Sequence, residues 1–587
     1  MPVTPRQHAC PSDWKNTMPK ARPLLRFPSA QGGNVAVIFA LASLPLLAFT
    51  GVAIDFGLAT RLQVKLQAAT DATALNLCQT PQSTTQAQMQ LQANAMETGY
   101  MNAPSLAVDP VVLTAGTTST PRQIKLSAHV NSGTQFSAFT KVVSPKVSAS
   151  AQCTTPIPKT FEIALVLDNT GSMNESSGST TKIQAVQTAA SSFVDYVKNN
   201  GAFSASSRIA VVPFAAAVAV DPVASATASW VDTMGLSAYH WTNVDQTQAR
   251  ALNFTSRLSI FNALKGVNFN WGWAGCFETL PYPQNVQDGA PLAGNTQAAY
   301  NTLYVPLFAP DEPGNGSTGY AAWDPSNNTS GSATNYSFNS YIDDTNGIAS
   351  CPSSSTSFFS AENQACKYLG ARNPQPTASN PYTGIPNGPN LQCLSKPLQR
   401  LTTDASALKA LINSLTAAGS TNIHEGMMWG WRTLSPSSVF ADGAAYSVST
   451  VNKVLILMTD GANTWPGNPY NYNQSQYFSL AYINNADGSH PNPHLPTNYQ
   501  SVSTATQQRA ALDELTIEAC ANAKAAGISI WTIGFSVPSD PIDNQGIQML
   551  QSCATSASQA IVANDSSGLI KAFDQIAKSI GSLRLSQ

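Results

Sequence analysis

Three oxygen-bearing side chains at alternating positions follow a predicted buried strand. Residues 161–167 form a continuous apolar run, which is typical of a strand buried on both faces, and Asp168, Thr170 and Ser172 come directly after it. Ligands of open α/β sheets bind at the carboxyl ends of the strands, so this turn can direct one carboxylate and two hydroxyls toward a common point. An all-oxygen set of this kind suits a hard divalent cation, Mg²⁺ or another such as Mn²⁺.

The same residues resemble the metal-ion-dependent adhesion site (MIDAS) of the von Willebrand factor type A (vWA) family. That site reads D-x-S-x-S after the first strand, and here Thr170 replaces the first Ser while keeping the hydroxyl. The family then has a loop Thr, matched by Thr421, and an Asp after a later strand, matched by Asp460. The resemblance therefore implies a metal site at three strand-to-helix junctions, made of Asp168, Thr170, Ser172, Thr421 and Asp460.

This resemblance implies binding and not catalysis. In the family, the open position on the metal accepts a carboxylate from a protein partner, so the chain would have neither catalytic residues nor an organic cofactor. A cation held by only two acids keeps net positive character, which favours an acidic side chain of the partner. The alternative is purely structural: Asp168, Asp460 and Ser172 would be turn and helix-capping residues.

Enzymatic alternatives find less support in the motifs. His424 and Glu425 resemble the start of H-E-x-x-H, but position 428 is Met, which argues against a zinc protease. Both residues are expected in the first turn of a helix. P-loop and G-x-S-x-G motifs are also missing from the sequence. A metal-dependent hydrolase remains the enzymatic alternative, with Glu175 or Glu425 as its base.

The elements that must position the site alternate along the chain from residue 159. Short β-branched runs predict buried strands, and 3.6-residue periodicity between them predicts helices. The strands are expected at 161–167, 208–214, 453–458, 528–535 and 560–563, and the helices at 182–198, 405–415, 423–434, 506–526 and 568–580. This alternation predicts an α/β fold with a doubly wound, mostly parallel sheet.

A large insertion interrupts the alternation and divides the predicted vWA domain into 156–220 and 401–585. Residues 221–400 contain five of the ten Trp and four Cys, which indicates an inserted, disulfide-linked subdomain. Its Trp-rich stretch 270–276 either forms the subdomain core or presents rings to a ligand. A second stretch, 462–505, is predicted to be a long loop whose tyrosines are a candidate contact surface.

The N-terminus predicts a single membrane anchor. Residues 35–54 have no charge over a length that spans a hydrocarbon core, and the basic residues upstream place 1–33 in the cytoplasm. The expected order is a cytoplasmic segment at 1–33, a transmembrane helix at 34–57 and a helix with short strands at 58–155. A cleaved signal peptide is the alternative, but the apolar run is overlong for one. The net charge of −2 gives no indication of nucleic-acid binding.

Cysteine usage agrees with this topology. Cys10 falls on the predicted cytoplasmic side, and the even number beyond the membrane segment suits an oxidising compartment. None of them forms a C-x-x-C motif, which argues against a zinc ribbon. The sequence leaves the pairing open, although Cys520 with Cys553 and pairs within the group at 276–393 are expected.

Both ends of the chain resemble the TadE/TadG-type family of Flp pilus-assembly proteins, and TadG-like members in particular. The resemblance is carried by residues 33–41, 51–55, 61–63 and 71–75, and by 419–426, 429–432, 434–436 and 583–585. It implies a role in assembling or anchoring Flp (tight-adherence) pili in a Gram-negative bacterium, with the vWA domain in the periplasm.

Within that family, an assembly factor is expected and not a pilin subunit. Prepilin-like relatives are cleaved after a Gly that is followed by a Glu five residues on, and no such Glu follows Gly33. The implied partners are a pilus-assembly or envelope component and the inner membrane. An adhesin displayed on the outer surface is the alternative.

Overall fold

The computed structural model describes most of the chain, and it divides the chain into two units. The first unit is Met1–Asp71, Asn94–Asp109 and Ser127–Ala151, and the second is Ala72–Ala93, Pro110–Leu126 and Gln152–Gln587. The described residues are 35–81, 83–116, 121–134, 145–155, 159–313, 321–322, 336–337, 339–342, 351, 358–369, 385–466, 473–485 and 487–582. Outside them lie the expected cytoplasmic segment with Cys10 and Gly33, the motif at 583–585, and Trp323, Tyr470 and Tyr472.

The N-terminal helix α1 (Val35–Cys78) is a single element of 44 residues. It therefore joins the expected membrane segment to the helix expected after it, with Pro45 inside. Its most apolar 18-residue window has a mean hydropathy of 2.3 and is almost entirely exposed. Since about 20 residues cross a hydrocarbon core, α1 is long and apolar enough to span a membrane once, which fits a single-pass anchor.

Short strands and a second helix follow α1: α2 (Gln86–Met101), β1 (Ala107–Val108), β2 (Val112–Thr114), β3 (Arg122–Asn131) and β4 (Lys146–Thr155). Strand β3 alternates buried and less buried residues, as expected of a sheet with one covered face. In the first unit β1 pairs with β3 in antiparallel fashion, and the core there includes Leu66, Val130 and Val147. In the second unit β2 pairs with the beginning of β3.

The remaining elements belong to the second unit. Their strands are β5 (Thr160–Asp168), β6 (Ser176–Ser177), β7 (Thr180–Thr181), β8 (Arg208–Phe214), β9 (Ala321–Ala322), β10 (Tyr336–Ser337), β11 (Gln399–Thr402), β12 (Val451–Thr459), β13 (Ser529–Phe535) and β14 (Ala560–Ala563). Their helices are α3 (Lys182–Asn199), α4 (Pro222–Ser225), α5 (Gln246–Ala251), α6 (Arg257–Val267), α7 (Gln297–Tyr300), α8 (Phe358–Glu362), α9 (Ala405–Asn413), α10 (Ile423–Leu434), α11 (Ala505–Ala525), α12 (Asn544–Cys553) and α13 (Ser566–Ser582).

A six-stranded sheet organises the second unit, with the order β11-β8-β5-β12-β13-β14. Strands β8, β5, β12, β13 and β14 are parallel, and only the edge strand β11 is antiparallel, so the fold is mixed α/β with a mostly parallel sheet. Relabelled by appearance in the chain, this order is 3-2-1-4-5-6. The direction of winding therefore reverses between β5 and β12, which is where ligands bind in such sheets.

Both faces of the sheet are covered by helices. Alternate residues of β5 enter different cores: Ile163 and Leu165 pack with residues of α3, α9 and α13, whereas Ala164 and Val166 pack with residues of α10, α11 and α12. This double burial explains why the parallel strands are continuous apolar runs in the sequence.

Helix α10 lies unusually close to the sheet because it presents two glycines to it. A Cβ on Gly426 would lie 2.6 Å from the ring of Phe214, and one on Gly430 would lie 2.4 Å from Val166. Larger residues at these positions would push the helix away. The loop before α10 contains Thr421, so the glycines also fix the position of that loop.

The described part of the insertion has its own buried interior. Trp241 and Trp271 are buried with Phe261, Phe308 and other residues in one cluster, which favours the core interpretation of the Trp-rich stretch. The interpretation of the tyrosine loop as a contact surface was wrong for Tyr477 and Tyr482, since both are buried. They pack against each other and donate hydrogen bonds to carboxylates of the insertion.

Four disulfides link the described cysteines. The expected pair Cys520–Cys553 is present, and the group at 276–393 forms Cys276–Cys393 and Cys351–Cys366. The fourth, Cys78–Cys153, connects the end of α1 to β4 within the second unit. The complete pairing of these eight cysteines agrees with an oxidising compartment.

Candidate metal centre

The candidate site lies where the central strands β5 and β12 end. Asp168 is the last residue of β5, and Asp460 immediately follows β12. The two strands are parallel neighbours, with Leu167 opposite Met458. Because the winding of the sheet reverses between them, the helices that follow diverge to opposite faces and leave a crevice at this edge.

Hydrogen bonds connect the oxygens predicted to bind a cation. Thr170 Oγ1 and Ser172 Oγ are 3.1 Å apart, and Ser172 Oγ donates to Asp460 Oδ1 at 2.8 Å. Two ligands at right angles on an octahedral ion with bonds of about 2.1 Å lie about 3 Å apart. Both neighbouring pairs in this row thus have the spacing of adjacent Mg²⁺ ligands, and the donor chemistry fits that ion.

Asp168 is held behind this row of oxygens. Its Oδ1 accepts a hydrogen bond from the backbone N–H of Thr170 at 2.7 Å, and its Oδ2 accepts one from the Thr459 hydroxyl at 2.6 Å. Asp168 is completely buried. The side chain of Asp168 therefore fixes the turn that carries Thr170 and Ser172.

Thr421 lies on the wall of the same cavity. The cavity has a volume of about 400 Å³, and its lining includes Ser172, Thr421 and Asp460. The loop before Thr421 is attached to the Asp168 turn, because Gly171 N–H donates to the carbonyl of Gly419 at 2.9 Å. Three of the five residues predicted from the sequence, Ser172, Thr421 and Asp460, therefore line one cavity, and Thr170 and Asp168 belong to the hydrogen-bonded turn that carries Ser172.

A lysine that the sequence interpretation missed completes the cluster. Lys182 is the first residue of α3 and its side chain is fully buried. Its Nζ lies 2.7 Å from Asp460 Oδ2 and 2.6 Å from Asp540 Oδ2. Asp540 belongs to the loop after β13 and has a side chain that is 43% exposed at the mouth of the cavity.

Burial and charge shift the pKa values of this cluster. Burial, together with the charge of Asp460, raises the pKa of Asp168 to about 7, although hydrogen bonds from Thr459 and Thr170 oppose the rise. Burial also raises the pKa of Asp460, against the opposing charge of Lys182. For Lys182, burial disfavours the ammonium, but Asp460 and Asp540 outweigh it and raise its pKa. The lysine is therefore charged.

The described residues contain no cluster of three or more His, Cys, Asp or Glu that could hold a metal. The candidate centre is instead a mixed set of two carboxylates and three hydroxyls. Such a set contributes few charges and leaves positions for water or for a ligand, as Mg²⁺ sites do.

The residues considered for catalysis lie elsewhere. Glu425 is buried in α10, where it accepts hydrogen bonds from Thr279 and from Trp429 Nε1. His424 is buried beside it, and burial lowers its pKa to about 3. Glu175 is exposed, and neither glutamate lines the described part of the cavity. His424 and Glu425 thus have the helical, structural positions expected of them.

Two sequence signals could have identified the additional charges. Lys182 follows a Thr-Thr pair that precedes an amphipathic helix, so a cation at the first helical position is unusual there. Asp540 stands in Ser-Asp-Pro after the predicted strand at 528–535, at the same edge of the sheet as Asp168. Only the fold shows that Lys182 contacts both Asp460 and Asp540.

Comparison with known proteins identifies one family at the N-terminus and several distant structural similarities. No curated protein matches the chain in sequence. The chain is similar to the pilus adhesin SpaC from Lactobacillus rhamnosus GG, with 11% identity over 82% of this chain and 34% of that one, at a TM-score of 0.29. It therefore spans about a third of SpaC.

Two further structures are similar at the same level. One is the vWF domain of the type V pili tip protein Mfa5 from Porphyromonas gingivalis, with 13% identity over 72% of this chain and 96% of that one and a TM-score of 0.28. The other is the adhesive tip pilin GBS104 from Group B Streptococcus agalactiae, with 12% identity over 72% and 100% and a TM-score of 0.31.

The sequence family is found in the membrane-proximal part of the chain. Residues 33–75 match the family model described as putative Flp pilus-assembly TadE/G-like. This match covers most of α1, including its apolar part. It supports the Flp pilus-assembly family for this stretch of the chain.

Proposed function

We propose that this protein is a membrane-anchored, periplasmic vWA protein that binds a protein partner through a MIDAS-type divalent-cation site during the assembly or anchoring of Flp pili. The observation that carries the proposal is the row of oxygens from Thr170, Ser172 and Asp460, spaced 3.1 and 2.8 Å apart at the reversal point of the sheet. The pilus-related role rests on the family match at 33–75.

Mg²⁺, or Mn²⁺ in its place, would be held by Thr170, Ser172, Thr421 and Asp460, with Asp168 behind them. The ion would supply a positive centre for an acidic side chain of the partner. The residues of this chain fix the ligand geometry, and the 400 Å³ cavity provides room for the incoming carboxylate. The role is binding, so no residue is assigned to catalysis.

The test combines cation binding with partner capture by the full chain in detergent. The wild type should bind Mn²⁺ in calorimetry and should recover a pilus-assembly or envelope component from cross-linked cells with Mg²⁺, but not with EDTA. Asp168→Asn should lose both properties. Asp195→Asn is the matched control, because it makes the same change at an ion pair with Lys409 outside the site.

Two results would overturn the proposal. A wild-type chain that binds no divalent cation has no MIDAS, and a partner retained equally in EDTA and by Asp168→Asn does not use the site. Cleavage of the second unit by protease added to intact cells would replace the periplasmic location with surface display, as expected of an adhesin.

A further inference from the structure

Lys182 connects the candidate cation site to an exposed loop. Its ammonium lies within 2.7 Å of both Asp460 Oδ2 and Asp540 Oδ2. Lys182 and Asp460 have fully buried side chains, whereas Asp540 is partly exposed. One buried cation is thus shared between a proposed metal ligand and a carboxylate at the mouth of the cavity.

The charges of the cluster require compensation. Asp460 and Asp540 are two carboxylates that share one ammonium, and buried charges are costly unless they are paired. Asp460 uses its two oxygens differently: Oδ1 faces the hydroxyl of Ser172, and Oδ2 faces Lys182. A divalent cation bound at Oδ1 would share this carboxylate with the ammonium, and two cations so close repel each other.

We propose, on the basis of the proposed cation site, that Lys182 is the internal counter-cation of Asp460. Lys182 competes with the divalent cation for Asp460, and Asp540 is the alternative acceptor for the Lys182 ammonium when the divalent cation binds. Lys182 neutralises Asp460 in the absence of metal and lowers the affinity for metal. Asp540 lessens the competition, because it can hold the ammonium away from Asp460. Cation binding is thereby linked to the loop after β13, at the mouth of the partner-binding cavity.

A purely structural role for Lys182 makes different predictions. If the lysine only links α3 to the end of β12 through its ion pair, its removal destabilises the fold by the same amount with or without the divalent cation. The cation affinity then stays unchanged. If Lys182 is an internal counter-cation, its removal strengthens cation binding and destabilises the fold only when the divalent cation is absent.

The experiment is Mn²⁺ calorimetry on the full chain in detergent, paired with thermal unfolding in EDTA and in Mn²⁺. Lys182→Met keeps the length of the side chain and removes the charge, so it should bind Mn²⁺ at least tenfold more tightly. It should also lose thermal stability in EDTA and regain it in Mn²⁺. Asp540→Asn should weaken Mn²⁺ binding about threefold, and Lys182→Arg should resemble the wild type. Lys409→Met removes an exposed lysine as a control.

The outcomes separate this inference from the proposed function. Mn²⁺ binding that Asp168→Asn abolishes, but that Lys182→Met leaves unchanged or weakens, overturns the counter-cation role and leaves the cation site intact. Absence of Mn²⁺ binding from the wild type, Lys182→Met and Lys182→Arg alike contradicts the cation site itself. If Lys182→Met does not fold in EDTA, the Asp540→Asn variant decides the question. Mn²⁺ binding by Asp540→Asn that is as tight as in the wild type, or tighter, overturns the inference.

Discussion

The two ends of the central strands carry opposite balances of charge. At the amino end, Glu162 of β5 is paired with Lys453 of β12 and with Arg208 of β8, so two bases surround one acid. At the carboxyl end of the same strands, Lys182 is the one base among Asp168, Asp460 and Asp540. Glu162 and Lys453 are as buried as the acids of the candidate site, so burial alone does not distinguish the ends.

The two ends differ in how far groups of the protein itself pair with the charged side chains. The carboxylate of Glu162 also accepts the backbone N–H of Ala444, and Lys453 Nζ also donates to the carbonyl of Leu434. Protein groups thus accept or donate the hydrogen bonds of that ion pair, although Lys453 also lines a cavity of about 190 Å³. At the other end Asp168, Asp460 and Asp540 outnumber Lys182, and Asp460 and Asp540 line the larger cavity of about 400 Å³. A surplus of carboxylate beside open space, and not a buried ion pair as such, distinguishes the end that we propose to bind the cation.

Breaking the amino-end pair should give the largest effect. Lys453→Met leaves Glu162 buried with the partly exposed Arg208 as its remaining ion-pair partner, which should cost about 3–5 kcal/mol of unfolding free energy. Urea unfolding of the full chain, followed by tryptophan fluorescence, should give the same loss in Mg²⁺ and in EDTA. A loss that Mg²⁺ reverses would contradict a purely structural role for this end.

The carboxyl end should show a pH-dependent stability that the amino end lacks. In the cation-free fold Asp168 keeps its proton up to about pH 7, whereas in the unfolded chain it releases it near pH 4. The folded state binds more protons between these values, so the free energy of unfolding should fall as the pH rises from about 4 to about 7 and remain low above that. Relative to Asp168→Asn, the wild type in EDTA should lose about 3 kcal/mol across this window.

Comparing the wild type with Asp168→Asn separates the titration of Asp168 from that of the other groups. Asp195→Asn, at an exposed ion pair, should keep the slope of the wild type. Parallel stability curves for wild type and Asp168→Asn would show that the carboxyl end does not hold the expected proton.

Cation affinity should depend only on the carboxyl end of the central strands. Asp460→Asn removes a ligand carboxylate, and Mn²⁺ affinity should fall about a hundredfold, or about 2.7 kcal/mol. The double variant Glu162→Gln, Lys453→Met removes both charges at the amino end and should keep the wild-type affinity, because the other end is unaltered. Equal losses in the two variants would indicate a general effect of destabilisation.

The parallel strands of this sheet could be predicted because each has a strong local signature. The run at 161–167 became β5 (Thr160–Asp168), and the runs before Asp460 and at 528–535 became β12 and β13 with small shifts of their ends. Burial on both faces selects apolar residues at every position of such strands. The antiparallel edge strand β11 (Gln399–Thr402) was missed, since it is short, polar and half-exposed.

The turn after β5 could be predicted from spacing and Thr421 and Asp460 from the family resemblance, but the ion pairs around them could not. Asp168, Thr170 and Ser172 belong to one turn, so their convergence follows from sequence spacing. Lys182 and Asp540 are 358 residues apart, and no local pattern indicates that they share an ion pair. The insertion was beyond prediction for the same reason, since its buried pairs, such as Arg257 with Glu278, join residues without periodicity between them.

The smallest expected effect concerns the one departure from the family pattern, Thr170. Its hydroxyl lies 3.1 Å from Ser172 Oγ, in the row of proposed ligands. Thr170→Ser keeps this oxygen and should change Mn²⁺ affinity by no more than about twofold, whereas the isosteric Thr170→Val removes it and should weaken binding about tenfold, or about 1.4 kcal/mol. Calorimetry on both variants at one pH measures the difference. Equal affinities of the Ser and Val variants would mean that Thr170 contributes only packing at the carboxyl end of the sheet. Its role would then be structural, as is that of the Glu162 ion pairs at the amino end.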